Sequence, residues 1–350
     1  MELLQRVTKW THGRQRLEGT ARTLVEALNS VAGVYATHPT APLALWARTR
    51  SFSPAAYRAL DRQRKALRIP AMRGTIFLVP HASAARIFTA CRPPASRITR
   101  ALKRHDLSPA GYAAFAKKIL QAAMKPIGKE GLEPVVGLKG MQLSTVVNCL
   151  RYEGRLLSLA GDSLNLGRLL FVTTSAWAPK GLDADDPADA LSWLAGEYLR
   201  GYGPARVEDF AWWAGVTKKA ARQAIEPHDT VDVGDGMLLH TKDEAAFVKV
   251  KPLKNTVDLL PKWDAYTMGY APDGRGRFVH TDNQAAVYMP IGPGLPGDGN
   301  PVVLVDGRAA ATWTITVKDG PAVQPFDTLG PQVRNKVDEK LEEVVALLRH

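Results

Sequence analysis

Residues 33–48 read GVYATHPTAPLALWAR, a stretch that follows an amphipathic segment, is interrupted by Pro39 and Pro42, and resumes as an apolar run ending in Trp46 and Arg48. Proline pushes the residue before it out of helical geometry, so His38 and Ala41 mark a break between two helices. A break inside a helical domain lets side chains point into a cleft. On its N-terminal side, residues 20–31 place Leu24, Val25, Leu28 and Val31 on one helical face. On its C-terminal side the pattern predicts a helix over 42–49. A third helix is expected over 51–68, started by Ser53-Pro54, with Leu60 and Leu67 facing inward. Residues 72–79, MRGTIFLV, are β-branched and aromatic and are closed by Pro80, which predicts a strand. Helices followed by such a strand suit a winged-helix unit, whose wing is a small hairpin.

The pattern recurs along the chain. Residues 108–124 open on Ser108-Pro109, a good helix start, with Lys117 and Lys118 on the polar side. Residues 144–152 read as a recognition helix and 154–172 as a wing with Gly161-Asp162 at its turn. Arg151, Arg155 and Arg168 make this wing basic, as a solvated hairpin or as a phosphate contact. Residues 183–189 are acidic and read as a linker. A helix over 190–200 ends at Gly201-Tyr202-Gly203-Pro204, and helices over 206–214 and 217–225 join through Gly215, with Thr217 as N-cap. In the last of these, Ala220, Ala221, Ala224 and Ile225 share one face and Lys218, Lys219, Arg222 and Gln223 the other. Such a helix lies along phosphates or enters a groove, unless it is an ordinary solvated face.

From Phe247 onward the chain turns to strand-like pieces and glycine-rich turns, with a loop over 292–300. Two strands flank Asp306-Gly307 as a hairpin. A last helix from Pro331 carries the stripe Val333, Val337, Leu341, Val344, Val345 and Leu348, a core or docking surface. The expected fold class is α+β: tandem winged-helix units with a C-terminal β-rich subdomain. The expected divisions are 1–105, 106–182, 183–245 and 246–350.

The chain has 350 residues, enough for two or three cores. Hydrophobic residues make up 45% and charged residues 23%, a globular balance, while the net charge of +12 attracts polyanions, nucleic acid above all. Cys91 and Cys149 stand alone and far apart, which speaks against a disulfide framework or a paired-cysteine zinc site and suits a reduced cytoplasm. No apolar stretch reads as a signal peptide or a membrane span. No phosphate-binding glycine loop, metal-ligand histidine spacing or Gly-x-Ser-x-Gly elbow occurs, so neither metal nor cofactor is expected.

Residues 33–48 resemble the signature of the YcaQ/AlkZ-type winged-helix DNA glycosylases, in which a Gly-Leu-Gln-x-Gln segment precedes a proline step and an apolar helix ending in Arg. Gly33, Val34, Ala36, Pro39, Pro42, Leu45, Trp46 and Arg48 fit; Tyr35 and Thr37 stand where the family has its two catalytic glutamines. Three further segments resemble the family. Residues 72–79 match its Arg-Gly-Thr-aliphatic-His-Leu strand, with Phe77 in place of the histidine. The run from Gly203 to Trp213 matches Gly-Pro-x-x-x-x-Asp-Phe-x-x-Trp. LLPKWDAYTMGY, residues 259–270, matches Leu-Leu-Pro-x-x-Asp-x-x-Leu-x-Gly-Tyr. The matches run in the family's order over roughly residues 20–314.

The resemblance implies hydrolysis of the N-glycosidic bond of alkylated purines. A cationic N7-alkylated base already leaves well, so the protein has only to hold a water near the sugar and stabilise an electron-poor sugar. The candidate catalytic residues are Tyr35 and Thr37, whose hydroxyls can hydrogen-bond a water but are poor bases, His38 as a base near neutral pH or a cap, and Asp264 as a carboxylate for developing positive charge or as an arginine partner or turn cap. The candidate DNA contacts are Arg48, Arg73, Arg151, Arg155, Lys218, Lys219, Arg222 and Gln223. The expected partner of this monomeric protein is double-stranded DNA, alkylated duplex included. Open alternatives are a winged-helix protein that binds DNA without catalysis and a basic protein with no DNA role.

Overall fold

The computed structural model describes residues 2–37, 39–165, 167–184, 186–289, 298–316 and 320–349. His38 and most of the loop expected over 292–300 lie outside the described residues. The elements follow in chain order: α1 Leu3–Arg14, α2 Leu24–Ser30, β1 Val34–Tyr35, α3 Thr40–Trp46, α4 Pro54–Arg62, β2 Ala66–Pro70, β3 Ile76–Pro80, α5 Ala84–Cys91 and α6 Ala95–Arg104. Then come α7 Pro109–Ala122, β4 Ile127–Gly128, α8 Lys129–Val136, α9 Gly140–Tyr152, β5 Leu156–Ala160, β6 Leu169–Thr173, α10 Thr174–Trp177 and α11 Pro187–Tyr202. The third stretch holds α12 Val207–Ala214, α13 Lys218–Ile225, β7 Thr230–Asp232, β8 Leu238–His240 and α14 Glu244–Val248. The last contains β9 Val257–Leu260, α15 Ala265–Met268, α16 Gln284–Val287, β10 Tyr288–Met289, β11 Asp298–Gly299, β12 Val302–Val305, β13 Arg308–Thr316, β14 Gly320–Pro325 and α17 Pro331–Leu348. Among the described residues no helix is long and apolar enough to cross a membrane.

Local chemistry sets many boundaries. Thr23, Ser53, Ser108 and Thr217 each cap a helix by accepting a backbone N–H with the side chain. The helix expected over 51–68 ends instead at Arg62. Arg64 takes a left-handed conformation with φ 54°, and the Lys65 amide donates back to the Leu60 carbonyl at 2.9 Å, which closes the helix. Leu67 is buried as expected, but in strand β2. The strand expected over 72–79 begins only at Ile76, because residues 72–74 form a tight turn with Arg73 at φ 56°. The linker expected over 183–189 stops at Asp186, which caps α11.

The two hairpins of the N-terminal half are one sheet. Its order is β1-β3-β2-β5-β6-β4, antiparallel at every pair, and β2 meets β5 at Arg68 and Ser158. The principal core runs across this sheet into the third helical group and the C-terminal region, joining Leu45, Leu67 and Phe88 to Tyr198, Phe210, Trp213, Tyr266 and Val302. A second core, with Leu102, Ile119, Leu132, Val146 and Leu150, lies among α6–α9. A four-stranded antiparallel sheet, β14-β13-β12-β9, packs on α17 through Val337, Leu341 and Val344, and Leu43 of α3 joins that core. The helix pair α12–α13 turns at Gly215 and is followed by the separate hairpin β7–β8.

Candidate functional site

The segment between α2 and α3 is held on three sides. Gly33 has φ 111°, and a Cβ there would lie 2.7 Å from Val79 Cγ1 and 2.8 Å from the Leu78 carbonyl oxygen, so only glycine lets the chain come this close to β3. Strand β1 then pairs Tyr35 with Phe77. Beneath it, Arg68 donates from Nη1 to the Ala36 carbonyl at 2.9 Å, while Nη2 bonds Tyr57 at 2.9 Å and Asp61 at 3.1 Å. Burial opposes the Arg68 charge, but Tyr57 and Asp61 outweigh it, and the pKa is held above the usual arginine value. Beyond β1, Thr40 Oγ1 donates to the Lys262 carbonyl at 3.0 Å.

This segment and residues 259–270, far apart in sequence, therefore meet. The Tyr35 ring centre lies 4.8 Å from that of Trp263 and 5.8 Å from that of Phe77. Trp263 sits in a left-handed conformation, φ 59°, and its amide donates to the Gly299 carbonyl at 3.1 Å. Thr37 is exposed, its carbonyl accepting the Ala41 amide at 2.9 Å.

Arg48 and Asp264 form the closest tie, and their expected roles need correction. Both side chains are 0% exposed; Arg48 Nη2 donates to Asp264 Oδ1 at 2.7 Å and Nη1 to Oδ2 at 2.8 Å. Asp264 Oδ1 also accepts the Tyr266 amide at 2.8 Å, capping α15. Burial works against the Arg48 charge, yet Asp264 outweighs it and raises the pKa. Arg48 is thus withdrawn from any phosphate, and both oxygens of Asp264 are engaged, leaving it an arginine partner and cap.

Arg73 instead stacks on Trp212 of α12. Its guanidinium carbon lies 4.0 Å from the Trp212 ring centre, and burial together with neighbouring Arg275 pushes its pKa down to about 10. Arg275, absent from the sequence expectations, stacks at 3.8 Å on Tyr288 and at 5.1 Å on the same Trp212, and burial lowers its pKa too. The only sequence signal was charge inside the glycine-rich PDGRGRF, which reads as an ordinary turn.

The other candidate contacts divide. Lys218, Lys219, Arg222 and Gln223 are exposed along α13 beside a groove of about 590 Å³, with Lys218 in a 3.4 Å pair with Glu208. Arg155 is exposed and pairs with Glu153 at 3.3 Å. Arg151 corrects the sequence reading: it is 7% exposed, donates to Ser158 at 3.0 Å and Asn148 at 3.1 Å, and braces the sheet rather than facing a strand of DNA.

The model of a family described as DNA glycosylase AlkZ-like matches residues 28–347. No curated protein matches the sequence. Among solved structures, the Streptomyces sahachiroi DNA glycosylase AlkZ is similar, with a TM-score of 0.75 and 19% identity, over 96% of this chain and 95% of that one. At that identity the likeness is one of fold.

Proposed function

The chain belongs to the AlkZ-like DNA glycosylase family, and on that premise we propose that it binds alkylated duplex DNA and releases cationic N7-alkylated purines, leaving uncharged bases in place. It acts as a cytoplasmic monomer. Its helical groups and hairpins serve as tandem winged helices around a basic concave channel, with α13 along the DNA backbone. Tyr35 and Thr37 hold the water; His38 is the remaining candidate base.

The observation that carries this reading is the composition of the site. The place of the family's first glutamine holds a tyrosine packed against Phe77 and Trp263, and the nearby carboxylate, Asp264, is consumed by Arg48. Hydroxyls orient a water but neither take its proton readily nor stabilise a cationic sugar as a free carboxylate does. Such a site suits a substrate whose base leaves with little help. The test compares duplexes carrying one N7-methylguanine or one uncharged alkylated adenine, with abasic sites read by alkaline cleavage. Release from the first is expected to exceed release from the second by about a hundredfold or more. Binding without abasic sites from either substrate would establish the second reading, DNA recognition without catalysis, which the aromatic packing of Tyr35 also favours.

DNA binding is tested separately. Reversing the charge of Lys218, Lys219 and Arg222 to glutamate is expected to lower the slope of log affinity against log salt by about 2–3, since each phosphate contact contributes roughly 0.9. An unchanged slope would remove α13 from the interface.

A further inference from the structure

Most of the buried arginines of this protein are answered by carboxylates. Arg48 has Asp264 at 2.7 Å, Arg68 has Asp61 at 3.1 Å and Arg277 has Asp209 at 3.6 Å. Arg151 spends its Nη groups on Asn148 and Ser158; Arg73 and Arg275 have no such partners among the described residues. Arg275 is 2% exposed, yet its Nε and Nη2 have no hydrogen-bond acceptor, and neither does the buried Nε of Arg73. The groups acting on the charge of Arg73 are Arg275, Tyr35 and Tyr202; the group acting on Arg275 is Tyr288. Among the described residues, neither guanidinium forms an ion pair with a carboxylate. Two cations that repel one another are thus held against aromatic faces, Trp212 beneath both and Tyr288 beside Arg275, with Arg73 Nε and Arg275 Nε and Nη2 unspent.

The scaffold fixes this arrangement. A Cβ on Gly215 would lie 3.0 Å from Arg73 Cα and 3.1 Å from its amide nitrogen, so the turn between α12 and α13 is seated on the Arg73 backbone. Trp212 comes from that same α12. Buried guanidinium donors facing no acceptor are costly unless a ligand supplies one. A group with two unshared anionic oxygens answers both guanidiniums at once, and planar guanidinium suits it.

We propose that Arg73 and Arg275, bracketing Trp212, bind one phosphodiester group of the DNA strand that runs on to α13. Arg73, the more accessible, meets the phosphate first; Arg275 completes the clamp from the deeper side. This rests on the DNA-binding reading above. Trp212 stands on α12, which Gly215 joins to α13 and Lys218, and Tyr35 acts on the charge of Arg73, so the clamp links the strand along α13 to the candidate reaction centre.

The test uses a set of duplexes in which one phosphate at a time is replaced by an uncharged methylphosphonate, with affinity measured for wild type, Arg275→Met and the half-buried Arg73→Gln. One linkage is expected to weaken wild-type binding about tenfold when neutralised and to have no effect in either variant, and each variant is expected to lose about 1 from the salt slope. Melting curves confirm that the variants are folded, and Arg73→Gln decides the matter if Arg275→Met is not. Inorganic phosphate at matched ionic strength is the second arm. Stabilisation of wild type by free phosphate, with no linkage sensitive in the duplex, overturns the proposal in favour of a small-anion site. If duplex binding depends on Lys218, Lys219 and Arg222 but no linkage depends on Arg73 or Arg275, the clamp falls and the DNA reading stands; if no duplex is bound at all, both fall.

Discussion

Replacing Asp264 by alanine is expected to destabilise the protein by about 3–5 kcal/mol, because it strands a buried guanidinium. Arg48 is fully enclosed, and its remaining partners are the Ala44 carbonyl at 2.9 Å and Gln15 at 3.2 Å, neither of which carries charge. The cap on α15 is lost with the same substitution. In a chain of this size the change corresponds to a fall in Tm of roughly 4–7 °C. The apolar pair Arg48→Met with Asp264→Leu should recover most of it, since removing both charges removes the desolvation penalty along with the attraction. Urea or thermal unfolding of the single and double variants measures this. Unchanged stability with lost base release would return Asp264 to the reaction and defeat the account of it as a structural partner.

Restoring amides at the aromatic site should have the largest catalytic effect. The double variant Tyr35→Gln with Thr37→Gln is expected to raise release of an uncharged alkylated base by about a hundredfold, the usual size of one well-placed hydrogen bond to a transition state. Glutamine reaches farther than threonine from an exposed position and gives up the ring that packs on Trp263 and Phe77. The lost ring contacts cost about 1 kcal/mol of stability, which a protein of this size tolerates. Single-turnover kinetics with the variant in excess over substrate separates chemistry from product release. A rate equal to wild type, with DNA affinity intact, would show that the departure from the family's signature does not limit this site.

Elements bounded by their own chemistry could be read from the sequence. Thr217 and Gly215 delimit α13 and the turn before it, and both perform as caps. Asp306 and Gly307 take the left-handed pair of conformations, φ 51° and 78°, that the hairpin between β12 and β13 requires. What failed depends on distant partners. Leu67 has helical spacing after Leu60, but pairing of β2 with β3 and β5 overrode it. Strand β1 is two residues long and exists through β3. At the candidate site, Tyr35 and Arg73 are recognisable as residues of interest, whereas Arg48 reads as a DNA contact because its carboxylate lies 216 positions away. Arg275 gave no local sign, since its aromatic neighbours Trp212 and Tyr288 come from other elements.

The single sheet that crosses from the first hairpin to the second makes those two units inseparable in practice. A protein shortened to end before α6 would bare the long side of β2, with Arg68 deprived of Ser158 across the strand and Ile69 newly wet. An open strand edge of that kind recruits another chain, and the product of such a truncation is aggregate rather than a working half. Domain shuffling, fragment expression and insertion of reporters should therefore treat everything from β1 to β6 as one indivisible cassette.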